Sequence, residues 1–169
     1  MKISISIGLM LLTMSFAKAE VIPPLPVETL SGRSLMVPAQ VAAAPSLFII
    51  GFSKKSRAET SEWSRRLEKD GHDGEPPYEV AVLDDVPRLL RGLVVRAIRN
   101  GVPERLRDRF LIVSEQGDFW RRLVRFHKPD DAYLVVTGAG GKLVWRTEGK
   151  LTEERLRELL QALRSARSQ

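Results

Sequence analysis

The chain contains no cysteine. That excludes disulfide staples, thiolate nucleophiles and cysteine metal sites together. It contains two histidines, His72 and His127. Neither stands at a ligand spacing from other metal-binding residues, so no metal is expected. Asp84-Asp85 and Asp130-Asp131 read as caps and turns rather than as seats for a hard cation. There is no Gly-x-Ser-x-Gly, no phosphate loop and no dinucleotide glycine pattern, and hence no expected cofactor. A strong charge bias is also missing: 27 Lys and Arg against 21 Asp and Glu leave a net charge of +6. That excess is mild and is not the clustered footprint of a nucleic-acid binder. No apolar run reaches the ~20 residues of a membrane-spanning helix.

Part of the chain reads as a leader. Lys2 gives a positive start, residues 3–16 are mostly apolar, and Ala17-Lys18-Ala19 places small residues where a signal peptidase reads. The pattern predicts a signal peptide over 1–19, cleaved after Ala19, and a periplasmic or secreted product. The remaining 150 residues fit one domain and can bury an apolar core without covalent staples.

The strongest local signal is the pair of segments 132–137 and 142–147, joined across Gly138, Gly140 and Gly141. Apolar residues around a glycine turn predict an antiparallel hairpin. Upstream, Pro23, Pro24 and Pro26 forbid a helix, and residues 27–37 predict a small hairpin turning at Ser31-Gly32. Residues 39–45 read as a loop. The unbroken apolar run 47–52 predicts a central strand buried on both faces. Ser56 and Glu59 have the spacing of a capping box, opening a helix to about Asp70 whose inner face would use Ala58, Trp63 and Leu67. His72 lies in a Gly/Pro break.

Residues 78–83 predict a second strand, and Asp84-Asp85 a cap for the next helix. That helix carries Leu89, Leu90, Leu93, Val94, Ala97 and Ile98 at helical spacing, ends at Asn100-Gly101, and reads as a leucine stripe opposite a solvated arginine face. In the stretch 102–128 a short helix from Pro103, a strand at 110–113 and a helix at 118–126 are expected. Thr152 predicts the cap of a last helix with Glu153 and Glu154 at its positive end and Leu156, Leu159, Leu160 and Leu163 on its buried side. Trp63, Trp120 and Trp145 are expected in or at the core.

Strand–helix alternation forces a parallel pair through a right-handed crossover, and the late hairpin must be antiparallel. The expected architecture is α/β, a mixed central sheet flanked by helices.

In this order of elements the chain resembles the thioredoxin-like superfamily, in its exported, redoxin or peroxiredoxin-related branches. Leu25-Pro26, Leu30-Ser31-Gly32-Arg33 and Val37-Pro38 look like their N-terminal hairpin extension, and 47–52 like their first core strand. Ser53-Lys54-Lys55-Ser56 looks like their redox motif with serine at both cysteine positions. Active members set a cis-proline before the next core strand, facing the dithiol. Pro129 stands near that place, with Asp130-Asp131 intervening. The resemblance implies a domain over 20–169 with an insertion at about 102–128. A further likeness is to the ATP synthase assembly factor ten family, which works without a CxxC. It is carried by Gly101-Val102-Pro103, Arg109-Phe110, the 133–146 hairpin with Trp145-Arg146 in reverse of that family's order, and Glu153-Glu154.

Serine cannot perform disulfide exchange, which needs a thiolate, and as a hydrolytic nucleophile it would need an adjacent base. The expectation is therefore a redox-inactive, exported binding or assembly-assisting protein. Its partner is expected to be a protein of the cell envelope, with membrane association left open, and neither nucleic acid nor a small-molecule cofactor is expected. The alternative is a thioredoxin-fold oxidoreductase or antioxidant-related protein acting without its own cysteines. Two candidate sites follow: the degenerate motif Ser53, Lys54, Lys55 and Ser56, and a partner-binding set Arg88, Arg91, Arg96 and Arg99. Arg105, Arg107, Arg109, Arg121, Arg122 and Arg125 extend the basic middle of the chain.

Overall fold

The computed structural model describes residues 20–38, 45–70 and 75–168. The expected leader, most of the 39–45 loop and His72 lie outside the described residues. The first hairpin is β1 (Leu25–Thr29) and β2 (Ser34–Val37), with Leu25 opposite Val37 and Glu28 opposite Ser34. Its turn uses Gly32 at φ +93°, a conformation side chains disfavour. There follow β3 (Ser46–Gly51), α1 (Arg57–Lys69), β4 (Tyr78–Val82), α2 (Arg88–Gly101), a 3-10 turn at Glu104–Arg109 and β5 (Phe110–Val113). Then come α3 (Gly117–Val124), β6 (Tyr133–Thr137), β7 (Leu143–Glu148) and α4 (Glu153–Arg167).

The described strands form one seven-stranded sheet in the order β2-β1-β5-β4-β3-β6-β7. β3, β4 and β5 run parallel; β1, β6 and their partners are antiparallel. β3 is an interior strand, between β4 and β6, and Leu47, Phe48, Ile49 and Ile50 are all buried. Successive side chains point to opposite faces. Leu47 and Ile49 meet Trp63 and Leu67 of α1 and Leu156, Leu159 and Leu163 of α4. Phe48 and Ile50 meet Trp120, Leu123 and Val124 of α3. α2 lies over Ala81 and Ile112 through Val94, Val95 and Ile98. Ala81 pairs with Gly51 and Ile112, so α2 shares the sheet face of α1 and α4, while α3 covers the other.

Several expectations are met. Thr152 caps α4, its hydroxyl accepting from the Arg155 amide at 3.2 Å. Trp63 and Trp120 are fully buried and Trp145 partly. Trp63 donates its indole N–H to the Gly149 carbonyl at 3.0 Å, tying α1 to the end of the β6–β7 hairpin. Residues 110–113 form a strand inside the sheet.

Three expectations are corrected. Ala58 is exposed, and the inner face of α1 is Thr60, Trp63 and Leu67. Asp84-Asp85 does not cap α2, which starts after Pro87 without a side-chain cap; Asp84 is held by Arg121 of α3 instead. The leucine stripe of α2 faces outward: no residue of the helix is fully buried, and Leu89, Leu90 and Leu93 are 94%, 49% and 61% exposed. Apolar residues cover more than half of this helix's circumference, so its pattern admitted two docking faces. The valines and Ile98 took the sheet.

Candidate functional site

The site is built where β3 ends and α1 begins. The chain leaves the sheet at Gly51, and Ser53 closes the turn. Its Oγ accepts from the amides of Lys55 at 3.0 Å and Ser56 at 3.1 Å and donates to Asp130 Oδ1 at 2.9 Å. The group that satisfies these free amides is therefore Ser53, not Ser56. Ser56 is buried, has helical φ and ψ, and makes no side-chain cap bond. Its hydroxyl turns back to donate to the Ser53 carbonyl at 2.9 Å. The expected capping box is not formed: Glu59 reaches across to accept from the Ala132 amide at 3.1 Å. It fastens α1 to the segment before β6 rather than to its own first turn. Gly51 is fitted to this arrangement, because a Cβ there would stand 2.7 Å from the Ser56 hydroxyl.

The facing wall is the turn of residues 127–132. Tyr133 organises it from inside the core: its hydroxyl accepts from the His127 and Lys128 amides at 3.1 and 2.9 Å and donates to the Lys128 carbonyl at 2.9 Å. That turn presents Asp130 to Ser53 and, at 3.5 Å, to the Lys55 ammonium. Pro129 lies in this wall, but the cis peptide bond among the described residues is Val37-Pro38, so the Pro129 bond is trans. His127 pairs with Glu148 at 3.1 Å.

Beneath the turn lies an aromatic floor. The Phe52 ring is 4.7 Å from Phe126 and 5.5 Å from Tyr133, centroid to centroid. The Arg121 guanidinium sits 5.6 Å from the Phe52 and Phe126 centroids, a cation–π contact. Both Asp84 oxygens accept from it, at 2.6 and 3.0 Å, and Asp85 accepts at 2.6 Å. These charge-assisted bonds hold the Asp84 carboxyl below its usual range. This clamp went unread in the sequence. Asp84-Asp85 looked like a cap, and Arg121 was one arginine among ten.

The two candidate sets are not brought together. Ser53, Lys54, Lys55 and Ser56 stand as one loop at the α1 entrance, with Lys54 and Lys55 exposed. The four arginines of α2 divide. Arg91 donates to the carbonyls of Val86 and Asp84, at 2.9 and 3.0 Å, and Arg99 to that of Leu30 at 3.0 Å. Arg88 and Arg96 are exposed with no partner among the described residues. The rest of the basic middle is largely consumed internally. Arg105 pairs with Glu68, and Arg107 donates to the Val102 and Arg99 carbonyls. Arg109 pairs with Glu75 and covers the Tyr78 ring.

Two amides occupy the Ser53 oxygen and Asp130 accepts its proton, and among the described residues no imidazole is hydrogen-bonded to it as a base would be. Among the described residues no group of three or more histidine or acidic side chains could hold a metal. No described helix is long and apolar enough to cross a membrane. A separate cleft of about 240 Å³ lies between α1 and the 3-10 turn, lined by Ser64, Leu67, Glu79, Leu106 and Arg109. It is not contiguous with the serine loop.

No protein-family model and no curated protein matches the chain. Solved structures do. A thio-disulfide isomerase from Thermus thermophilus matches at 22% identity and TM-score 0.54, covering 85% of this chain and 95% of that one. The pneumococcal exposed lipoprotein thioredoxin from Streptococcus pneumoniae matches at 12% identity and TM-score 0.60, over 83% and 100%. BsSco, a member of the Sco family of cytochrome c oxidase assembly proteins, matches at 12% and TM-score 0.57, over 88% and 94%. The chain has the thioredoxin-like α/β fold. It is a cysteine-less form of that fold, with serines at the mouth of α1.

Proposed function

We propose that this is an exported, redox-inactive thioredoxin-like protein that binds, or helps to assemble, a protein partner in the cell envelope. The loop Ser53, Lys54, Lys55 and Ser56 with Asp130 is the recognising edge. One observation carries the reading: at the entrance of α1, where exchange chemistry on this fold would need a thiolate, both side chains are hydroxyls already engaged within the loop. The leader-like residues 1–19 support export. The fold likeness to an exposed lipoprotein thioredoxin and to a cytochrome c oxidase assembly protein is compatible with an envelope role.

Two assays on the purified protein test it. Insulin reduction and peroxide turnover are expected at blank level, and appreciable turnover that survives dialysis overturns the reading. A photo-crosslinking residue at Lys54 should trap one defined envelope protein in the native host, and one at Arg157, on the exposed side of α4, should not. Equal trapping at both positions would remove the loop from the proposal.

A further inference from the structure

α2 has the composition and placement of a surface anchor. Its sequence, RLLRGLVVRAIRNG, holds four arginines and no acid. Val94, Val95 and Ile98 dock it on the sheet, and Arg91 and Arg99 are spent on backbone carbonyls. What remains outside is an apolar knob with two cations, Arg88 and Arg96, that have no partner among the described residues. At 100° per residue, Leu89, Leu93 and Arg96 fall within a narrow arc facing away from the sheet. Leu90 and Ala97 flank it on one side, Gly92 and Arg88 on the other.

Three features of this face do nothing for the fold. Leu89 is 94% exposed, so the core gains nothing from it. Arg88 stands in the first helical turn, where the helix dipole disfavours a cation, and no acid is there to offset it. Gly92 weakens the helix, and a Cβ at its position would meet nothing within 4 Å, so no close packing requires it. A glycine on the flank of Leu89 and Leu93 lowers the helix surface beside them and lets the backbone approach a flat layer.

The charge pattern selects the occupant. A second copy of this face would set Arg88 and Arg96 against their own kind, parallel or antiparallel, with no carboxylate on either helix. A neutral apolar groove would bury both guanidiniums without partners. An anionic lipid surface answers both halves. Headgroup phosphates meet the guanidiniums, whose stems reach up past the leucines, while the leucines enter the acyl boundary, which needs no shaped pocket. We propose that α2 docks the protein on an anionic bilayer through Leu89, Leu90 and Leu93 with Arg88 and Arg96. This goes beyond the partner-recognition reading and does not rest on it, since it uses another face of the molecule.

The missing cysteines make the test clean. The full chain carrying Leu93→Cys, labelled with an environment-sensitive fluorophore, is mixed with phosphatidylglycerol–phosphatidylcholine vesicles or pure phosphatidylcholine vesicles. Asp118→Cys, on α3 across the sheet, carries the same label as a control. The label at 93 should shift to the blue and be reached by acyl-chain quenchers with the anionic vesicles, and the label at 118 should not. Arg88→Glu with Arg96→Glu should weaken this response roughly tenfold or more, as should high salt. Since the label reports its own position, lipid contact elsewhere in the chain cannot imitate the result. Three outcomes overturn the proposal: vesicle binding with a silent label at 93, a response only to an acidic polypeptide, or a concentration-dependent response without lipid that marks self-association.

Discussion

Asp84 and Glu79 are carboxylates on and just beyond one strand, β4, whose ionisation works in opposite directions. Arg121 donates to both oxygens of Asp84 and lowers its pKa. The pair therefore adds stability above the unfolded value near 4, and loses it as pH falls through the lower folded value. Burial raises the pKa of Glu79, with the Ser64 hydroxyl at 2.8 Å and the charge of Arg57 only partly compensating. Its neutral form is the favoured one, so its contribution is fullest below the unfolded value near 4.3 and is lost as pH rises through the folded value. Asp84→Asn should cost about 1–2 kcal/mol at pH 7, and progressively less as pH falls below about 4. Glu79→Gln, which keeps an acceptor for Ser64, should raise the melting temperature at pH 7 by roughly 2–4 °C and leave it unchanged below about pH 4. Melting curves of the two variants from pH 3 to about pH 8 decide both signs. Shifts of one sign in both variants would show that burial and pairing had been misassigned.

At the scale of elements, the two helices with the clearest leucine patterns behave differently. α4 hides Leu156, Leu159 and Leu163, and Leu159→Ala should cost about 2–5 kcal/mol. α2 shows its leucines to solvent, and Leu89→Gln with Leu93→Gln should leave the free energy of unfolding within about 0.5 kcal/mol of the parent. A large loss from the α2 pair would mean that the helix docks by the face opposite to the one described. This contrast also marks what the sequence could and could not say. Strands and hairpins were legible because β3 is continuously apolar and the turns carry glycine at positive φ. The cap of α4 was legible because Thr152 acts within its own turn. The start of α1 was misread because its polar groups bond across the chain: Glu59 to Ala132 and Ser53 to Asp130, 73 and 77 residues apart. The docking face of α2 was illegible for another reason, because valine, isoleucine and leucine all read as apolar and only the tertiary fit chooses among them. The serine loop is one contiguous stretch, 53–56, and so was visible as a local motif. Its wall and floor, Asp130, Tyr133, Phe52 and the Arg121–Asp84 clamp, come from four separate segments and left no local pattern to find.

For the whole molecule, the decisive element is β5. It pairs with β1 on one side, Ile112 opposite Glu28, and with β4 on the other, Leu111 opposite Val80. The Leu30 and Leu83 amides donate to the Phe110 and Val113 carbonyls at 2.7 Å. Among the described strands, the N-terminal hairpin pairs with the rest of the sheet through this strand. Amides of 110–113 should therefore exchange as slowly as those of β4, in one cooperative unit with the strands around them. Native-state hydrogen exchange reads this directly, and fast exchange at 110–113 beside slow exchange in β4 would show two separable parts.

Ordinary members of a thiol scaffold change with their surroundings. Their sulfurs gain or lose a bond as the ambient oxidant swings, and the shape and charge they offer change too. A rim made of Ser53 and Ser56 has no such second state. Peroxide, glutathione and disulfide oxidases leave it as it was. An edge of this kind would present the same hydroxyls and the same charge in oxidising and in reducing surroundings.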